Sequence, residues 1–466
     1  MTAPPASKTE VSDTEPRLYP PAAQPADRVL PLPLYLAQFV RNPLTALPKQ
    51  AFYEPIVTTR YAGVPVAWVT APALIETIFL KEHEHFPKAP LEQRVLAPLV
   101  GQGILTSEGS SWRWQRKTAA PLFRHTELLD FVPVMAEAAG EQIARWAEPP
   151  KGRIRAIDAD MTAMTFAVVS RTVLAGCAES EGAVIQQAGR AFLDHSSWSI
   201  AYAMLRLPEW AWHPGRRRML RAARAERAAV ARLVARRLAE QRPAEDLLAR
   251  LLAARHPESK EPMSSSRLVD NLLTFLAAGH ETTAKALTWT LYLLARAPQW
   301  QERVREEARR VAGTRPIGAG DIANLAVAQQ VLKESLRLYP PAPVLTRVAA
   351  EDVTLAGVSL PKGSLIVIPI YAVHRHRAAW DDPDRFDPDR FRPEREAHHA
   401  RTQFMPFGFG PRSCIGAAFA MIEATAILAT LARGVRFEWD GRHEPVPVAR
   451  VTLRPKGGMP LSVTVL

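Results

Sequence analysis

Cysteine is close to absent from this chain. Its 466 residues contain two, Cys177 and Cys414. That excludes a disulfide framework and leaves a cysteine-held structural zinc short of ligands. No apolar run reaches the ~20 residues a membrane-spanning helix needs. The N-terminus also lacks the charged-then-apolar pattern of a secretory signal. The expectation is a cytoplasmic protein with no membrane anchor. The net charge of +12 and pI near 9.9 can mean nucleic acid, a membrane surface or an acidic protein partner, and no nucleic-acid-binding motif accompanies them. Hydrophobic residues make up 47% of the chain, enough for a large core, so global disorder is excluded.

Prolines dominate residues 1–30, which read as a disordered or extended tail; residues 31–466 read as a single domain. The runs 56–61 and 64–69 form a predicted hairpin about Ala62-Gly63. Residues 72–80 read as helical and residues 86–106 as irregular. Residues 127–177 alternate helical and polar stretches, with Cys177 a small buried filler. Two helices are expected in 182–213. The connection Pro208–Pro214 carries Trp210 and Trp212, either over an entrance or as packing. A long amphipathic helix covers 216–242, and its run Arg216-Arg217-Arg218 is a solvated face. Strands are expected within 352–370 and at 461–466. The class is mainly α with a smaller β-rich lobe.

Chemistry concentrates at Phe407-Gly408-Phe409-Gly410-Pro411-Arg412-Ser413-Cys414-Ile415-Gly416. One cysteine sits among glycines, just before a predicted helix, 417–433. Glycine lets backbone N–H groups approach the sulfur, and a helix N-terminus favours negative charge. Both effects are expected to lower the thiol pKa. Arg412 is a cation aimed at something anionic.

Three further constellations accompany it. Residues 264–297 read as one helix, capped by Ser264 and stopped by Pro298. It is apolar all round between Asn271 and Gly279, as suits a helix crossing a core. Ala278-Gly279-His280-Glu281-Thr282-Thr283 then interrupts it. Thr282 is placed to turn its hydroxyl onto the Ala278 carbonyl. Glu281 is costly in a core without a partner, and His280 reads as a packing or surface histidine. Trp112 and Arg116 share a face of a helix expected to be capped by Ser110 or Ser111; the same spacing suits a core anchor and a solvated charge. Glu334 and Arg337 lie at i, i+3 on a helix predicted over 321–339.

Taken in order, W-x-x-x-R, A-G-x-E-T-T, E-x-x-R, P-x-R-F and F-x-x-G-x-R-x-C-x-G resemble the cytochrome P-450 family over residues 31–466. The resemblance implies that fold and a haem-thiolate monooxygenase of the soluble bacterial type. Cys414 is then the axial ligand of the iron of haem b (iron protoporphyrin IX), with Phe407 beneath the ring near the sulfur and Gly410 and Gly416 in the same loop. Arg412, Trp112, Arg116 and Arg347 contact the propionates. Thr282 and Glu281 serve oxygen activation and proton delivery, while Arg390 joins Glu334 and Arg337 in a buried structural network. The residues that line the substrate pocket would come from 86–106, 185–213, 276–282, 342–346 and 457–459, mostly apolar, which implies an apolar organic substrate and O₂. No flavin or iron–sulfur motif is present, so electrons from NAD(P)H come through a separate ferredoxin or flavodoxin and its reductase. The protein is expected to be a monomer. The alternatives are a peroxide-driven peroxygenase, which keeps less need of Glu281-Thr282, and a non-catalytic haem sensor or carrier.

Overall fold

The computed structural model describes residues 17–148, 153–173, 179–205, 207–240, 246–256 and 258–466; Cys177 lies outside them. Helices dominate, and one of them organises the rest. Ser265–Arg296 is a single 32-residue helix, about 48 Å long at ~1.5 Å per residue. Ser264 caps it by accepting the Arg267 N–H at 3.4 Å. Pro298 opens the next helix, Pro298–Ala312, and so forbids continuation. The expected interruption at Ala278–Thr283 does not occur: the helix runs straight through, because the threonine hydroxyl back-bonds without displacing the backbone ladder.

Helices Ile157–Val173, Arg216–Glu240, Ala326–Leu338 and Ala417–Gly434 pack around this central helix. The last is 18 residues long and apolar enough to cross a membrane, yet it is mostly buried inside the protein, where its Ile422, Ala426, Ile427 and Leu428 fill the core. On the central helix, Trp289 stacks flat on Tyr339 with ring centroids 3.8 Å apart.

Among the described residues the strands form four small sheets. The largest runs Ile56–Tyr61, Val64–Val69, Leu365–Ile368, Leu345–Val348 in spatial order. Its first two strands are the expected hairpin, turned by Ala62 (φ 48°) and Gly63 (φ 80°), the positive-φ pair that a tight hairpin demands. Pro460–Val465 closes a second sheet between Ile154–Ala156 and Val435–Glu438.

Four local readings change. Residues 90–100 are a helix, Pro90–Val100, where irregular chain was expected; Val95, Leu99 and Val100 are buried on one face, and Pro98 is tolerated near its end. Residues 77–81 continue the helix at 72–76 as a wider π turn. The helix expected over 321–339 breaks at Leu325 into a 3₁₀ segment, Ala319–Asn324, and an α-helix, Ala326–Leu338. The helix carrying Trp112 begins at Gly109, and neither serine caps it. In the tail, residues 17–30 lie against the body: the Ala23 N–H donates to the Tyr371 hydroxyl at 2.9 Å, and the Tyr339 hydroxyl donates to the Pro21 carbonyl at 2.7 Å.

Two hydrophobic clusters share the central helix, and their boundary positions the site. One includes Leu268, Leu272, Phe275 and Leu276; the other includes Ala284, Leu287, Leu291 and Leu294. Residues 277–283 fall between them. On the cysteine loop Ile415 packs against the first cluster, while Ala418 and Phe419, in the first turn of the helix after it, pack against the second. Cys414 therefore lies at the same seam as Thr282.

Candidate active site

The cysteine loop is held by its backbone. Gly408 and Gly410 both have φ 71°, which favours glycine. A Cβ on Gly410 would overlap the Phe79 carbonyl, so no other residue fits there. The Cys414 N–H donates to the Phe407 carbonyl at 2.8 Å, and the Ser413 N–H donates to Gly410 at 3.0 Å. Arg116 reaches the Ser413 carbonyl at 3.0 Å from the helix Gly109–Ala119.

Cys414 is a free cysteine with accessible surface on its side chain, while protein encloses it on its other sides. Burial pushes its thiol up, against the pull of the Gly416 N–H and the Arg116 cation. The expected lowering is thus reversed: the loop supplies the favourable groups, but enclosure outweighs them. Such a sulfur stays protonated by itself and becomes a thiolate when a metal ion binds it.

Cations gather on one side of the loop. The Arg412 guanidinium lies 3.8 Å from the Trp112 ring centroid, donates to the Ser107 carbonyl at 2.9 Å and pairs with Glu108. Arg347, buried in its strand, lies 4.4 Å from the Phe79 ring centroid and donates to the Thr346 carbonyl at 2.7 Å. Lys88 donates to the Leu105 carbonyl at 2.7 Å and lies 3.5 Å from Glu92. The three feel one another. Arg412 is brought down to about 10 chiefly by burial, with Glu108 opposing and Arg347 adding. Burial also lowers Lys88, Glu92 opposes, and Arg347 and Arg412 add to the lowering. A doubly anionic ligand relieves that repulsion. Lys88 escaped sequence reasoning because it lies within the stretch 86–106 read as irregular; its i, i+4 pairing with Glu92 was the available signal.

This donor set fits haem: a sulfur whose open side is available to iron, and Arg116, Arg347, Arg412 and Lys88 beside it for the two propionates.

Across the seam, Ala278 is exposed and Thr282 half-buried in the middle of a helix whose stretches 268–276 and 283–294 are buried. These two residues, one turn apart, face open space rather than packed neighbours. The Thr282 hydroxyl donates to the Ala278 carbonyl at 2.6 Å. Glu281 is buried and turned elsewhere. Its Oε1 accepts from the Thr452 hydroxyl at 3.2 Å and lies 3.9 Å from Lys285 Nζ. His280 packs against Phe166 and engages the Leu276 carbonyl through Nδ1 at 2.6 Å; burial lowers it. Gly457, read from sequence as part of the substrate pocket, lines a polar cavity with Glu281 instead. Trp210 and Trp212 are exposed, so packing is not their role. Arg94 donates to the Leu207 carbonyl and ties their connection to helix Pro90–Val100.

Two buried groups support the loop without motif signatures. His374 is fully buried and held down to about 3 by burial and by the cations Arg337 and Arg375. Its neutral Nε2 accepts the Met405 N–H at 2.9 Å, anchoring the start of the cysteine loop. Glu423, on the helix after Cys414, is pushed up to about 8 by burial, with the neighbouring Thr283 hydroxyl opposing.

The ion network is assembled as the spacing suggested. Arg337 grips both Glu334 oxygens at 2.7 Å and donates to the carbonyls of His374, Pro383 and Arg385, so all five of its N–H groups are used. Arg390 pairs with Glu334 at 3.6 Å and donates to the Asp382 carbonyl at 2.8 Å. Because His374 belongs both to this network and to the loop, the three charges brace the thiol indirectly.

Comparison with known proteins agrees with this geometry. The cytochrome P-450 family model matches residues 26–461. Cyclooctatin synthase of Streptomyces melanosporofaciens is 31% identical over 439 residues, 92% of this chain and 91% of that protein. A cytokinin hydroxylase of Arabidopsis thaliana is 31% identical over 421 residues, covering 85% of this chain and 78% of the plant protein. Among solved structures, the cytochrome P-450DA haem domain superposes with a TM-score of 0.82 at 24% identity, covering 96% of this chain and 98% of that one. The match runs through the seam, the loop and the ion network alike, and the chain belongs to the cytochrome P-450 family of haem monooxygenases.

Proposed function

We propose that this chain oxygenates an apolar organic substrate with O₂, using electrons delivered by a separate protein in the cytoplasm. The observation that carries this reading is the accessible Cys414 thiol at the seam where Ala278 is exposed and Thr282 half-buried in the middle of the central helix. Haem, when bound, supplies oxygen activation and atom insertion. Everything else falls to the chain. Cys414 gives the sulfur ligand, and the Gly416 N–H and Arg116 steady its negative charge. Arg347, Arg412, Trp112 and Lys88 hold the propionates. Thr282 offers a hydroxyl whose own proton is tied to Ala278, leaving its lone pairs to receive a proton in the cleft. Glu281 is the nearest carboxylate on the same helix and serves as the proton source.

The pair Glu281-Thr282 favours O₂ over peroxide as the oxidant, since peroxide arrives already reduced and protonated. Arg113, Lys117 and Arg124 are exposed on or beside the helix that carries Arg116, and they suit an acidic ferredoxin or flavodoxin. The test is reconstitution. Purified haem-loaded protein, a ferredoxin, its reductase and NAD(P)H should turn over compounds that displace the iron-bound water in a spectral screen. Turnover with peroxide alone would favour the peroxygenase alternative.

A further inference from the structure

A ring of hydrogen bonds joins the central helix, about two turns before Ala278, to the loop at 101–108. Glycine allows the close approach: a Cβ on Gly101 would overlap Asp270 Oδ1, and one on Gly103 would overlap Thr274 Oγ1. Asp270 Oδ2 accepts the Gln102 N–H at 2.9 Å, and Gln115 Nε2 donates to the Gln102 carbonyl at 3.1 Å. Asn271 Nδ2 donates to Gln115 Oε1 at 2.8 Å, while Asn271 Oδ1 accepts the Ile104 N–H at 3.0 Å. Asp270, Asn271 and Gln115 are all buried. The Arg227 guanidinium, on helix Arg216–Glu240, lies 2.7 Å from Asp270 Oδ1.

Buried polar groups that satisfy one another rigidify a contact and specify one geometry for it. What this geometry fixes are the cations beside the cysteine loop. Loop 101–108 is folded on itself: the Thr106 hydroxyl donates to the Gly101 carbonyl at 2.6 Å, and the Ser107 N–H donates to the Gly103 carbonyl at 2.9 Å. A displacement at Gln102 is therefore carried on to Ser107. The Leu105 carbonyl accepts Lys88 and the Ser107 carbonyl accepts Arg412. Those two cations repel each other, yet one anchored loop holds both. Gln115 precedes Arg116 on helix Gly109–Ala119, so the ring also sets where Arg116 stands.

We propose that Asp270, Asn271 and Gln115 are positioning residues of the haem site, fixing from the central helix where Lys88, Arg412 and Arg116 stand relative to the Cys414 loop. The proposal rests on the reading above, in which those cations hold the propionates. None of the three reaches the cysteine loop itself; each acts through the loop carbonyls or through the helix of Arg116. Arg227 gives the Asp270 carboxylate the cation that its burial requires. Breaking the ring frees the loop to follow the repulsion between Lys88 and Arg412, and the cations then stand apart.

Two measurements on full-length, haem-loaded protein test this: the rate of haem transfer to excess apomyoglobin, and the midpoint potential. Asn271→Ala and Gln115→Ala should each release haem about tenfold faster than wild type, the effect of one buried hydrogen bond. Both should also lower the potential, because cations that stand off the propionates favour the ferric state. Asp270→Asn, which keeps an acceptor for the Gln102 N–H but loses the charge paired with Arg227, should release haem about fivefold faster. The same substitutions are then made in a Lys88→Met, Arg412→Gln background. There each should change the rate less than about twofold, because the ring acts through those cations. Equal acceleration in both backgrounds, or an unmoved potential, would make the ring merely structural and overturn the proposal. If the alanine variants do not fold, Asp270→Asn decides by the same comparison. A wild type that takes up haem and shows the reduced, carbon-monoxide-bound band of thiolate ligation keeps the haem reading standing even when the ring fails its test. A wild type without that band has lost the haem reading, and this proposal with it.

Discussion

The two walls of the site are built by different means. The cysteine wall is a loop whose shape is set by its own backbone: positive φ at Gly408 and Gly410, and main-chain bonds from Cys414 to Phe407 and from Ser413 to Gly410. The helix wall has ordinary backbone, and what distinguishes it are side-chain partners, one a turn away and others far along the chain. Glu281 depends on Thr452 and Lys285, and Lys285 on Thr162. Damage should therefore differ in kind. Changes on the loop side should destroy assembly, whereas changes on the helix side should leave an assembled but poorly coupled enzyme.

The sharpest way to break that contrast is at Gly410 and Arg337. Gly410→Ala forces a Cβ into the Phe79 carbonyl at a backbone angle that disfavours it. Arg337→Ala leaves Glu334 buried without its bidentate partner, with Arg390 at 3.6 Å the remaining cation, a loss of about 3–5 kcal/mol. Both variants should yield little haem-loaded protein, read from the absorbance ratio of haem to protein. A well-loaded Arg337→Ala would show that the brace through His374 is dispensable.

On the other wall, Thr282→Ala should load haem normally. The ratio of product formed to NAD(P)H oxidised should fall roughly tenfold, with the difference released as hydrogen peroxide. An unchanged ratio would reduce this threonine to a helix back-bond.

How much of this was visible beforehand follows from the same contrast. The loop was legible because glycine spacing reports backbone shape directly. The Thr282–Ala278 bond and the Glu334–Arg337 pair were legible because they are local, one helical turn apart. Thr452, His374 and Glu423 were not, since each gains meaning only from folding, whereas Lys285 and Lys88 lie one turn from Glu281 and Glu92 and that spacing went unread. Thr452 reaches Glu281 across 171 positions of sequence. Helix Pro90–Val100 hid behind its prolines, whose missing N–H groups fall in the first turn and near the end, where they do little harm. The thiol was misjudged for the same reason: the favourable groups were local, and the enclosure that outweighs them was not.

A smaller effect comes from the helix that links the walls. The Glu423 carboxyl is raised in the fold from 4.5 to about 8. A group shifted that way stabilises fully below its unfolded pKa, and the contribution is lost as pH rises through the folded value. The wild type should therefore lose a few kcal/mol as pH climbs from about 4.5 to about 8. Glu423→Gln should flatten that decline in thermal unfolding, while an identical slope would mean the carboxyl finds a partner on ionisation.

The smallest expected change lies outside both walls. Arg113→Glu and Lys117→Glu should slow electron transfer from an acidic ferredoxin a few-fold at low salt, and the difference should shrink at physiological ionic strength. A rate indifferent to salt would move the docking face elsewhere.

The central claim is that Cys414 is the sulfur ligand, and the reduced, carbon-monoxide-bound spectrum tests it most directly. Wild type and Cys177→Ser should both show the strongly red-shifted absorption band of thiolate-ligated haem, and Cys414→Ser should lose it. Persistence of that band in Cys414→Ser, or its loss in Cys177→Ser, would contradict the account.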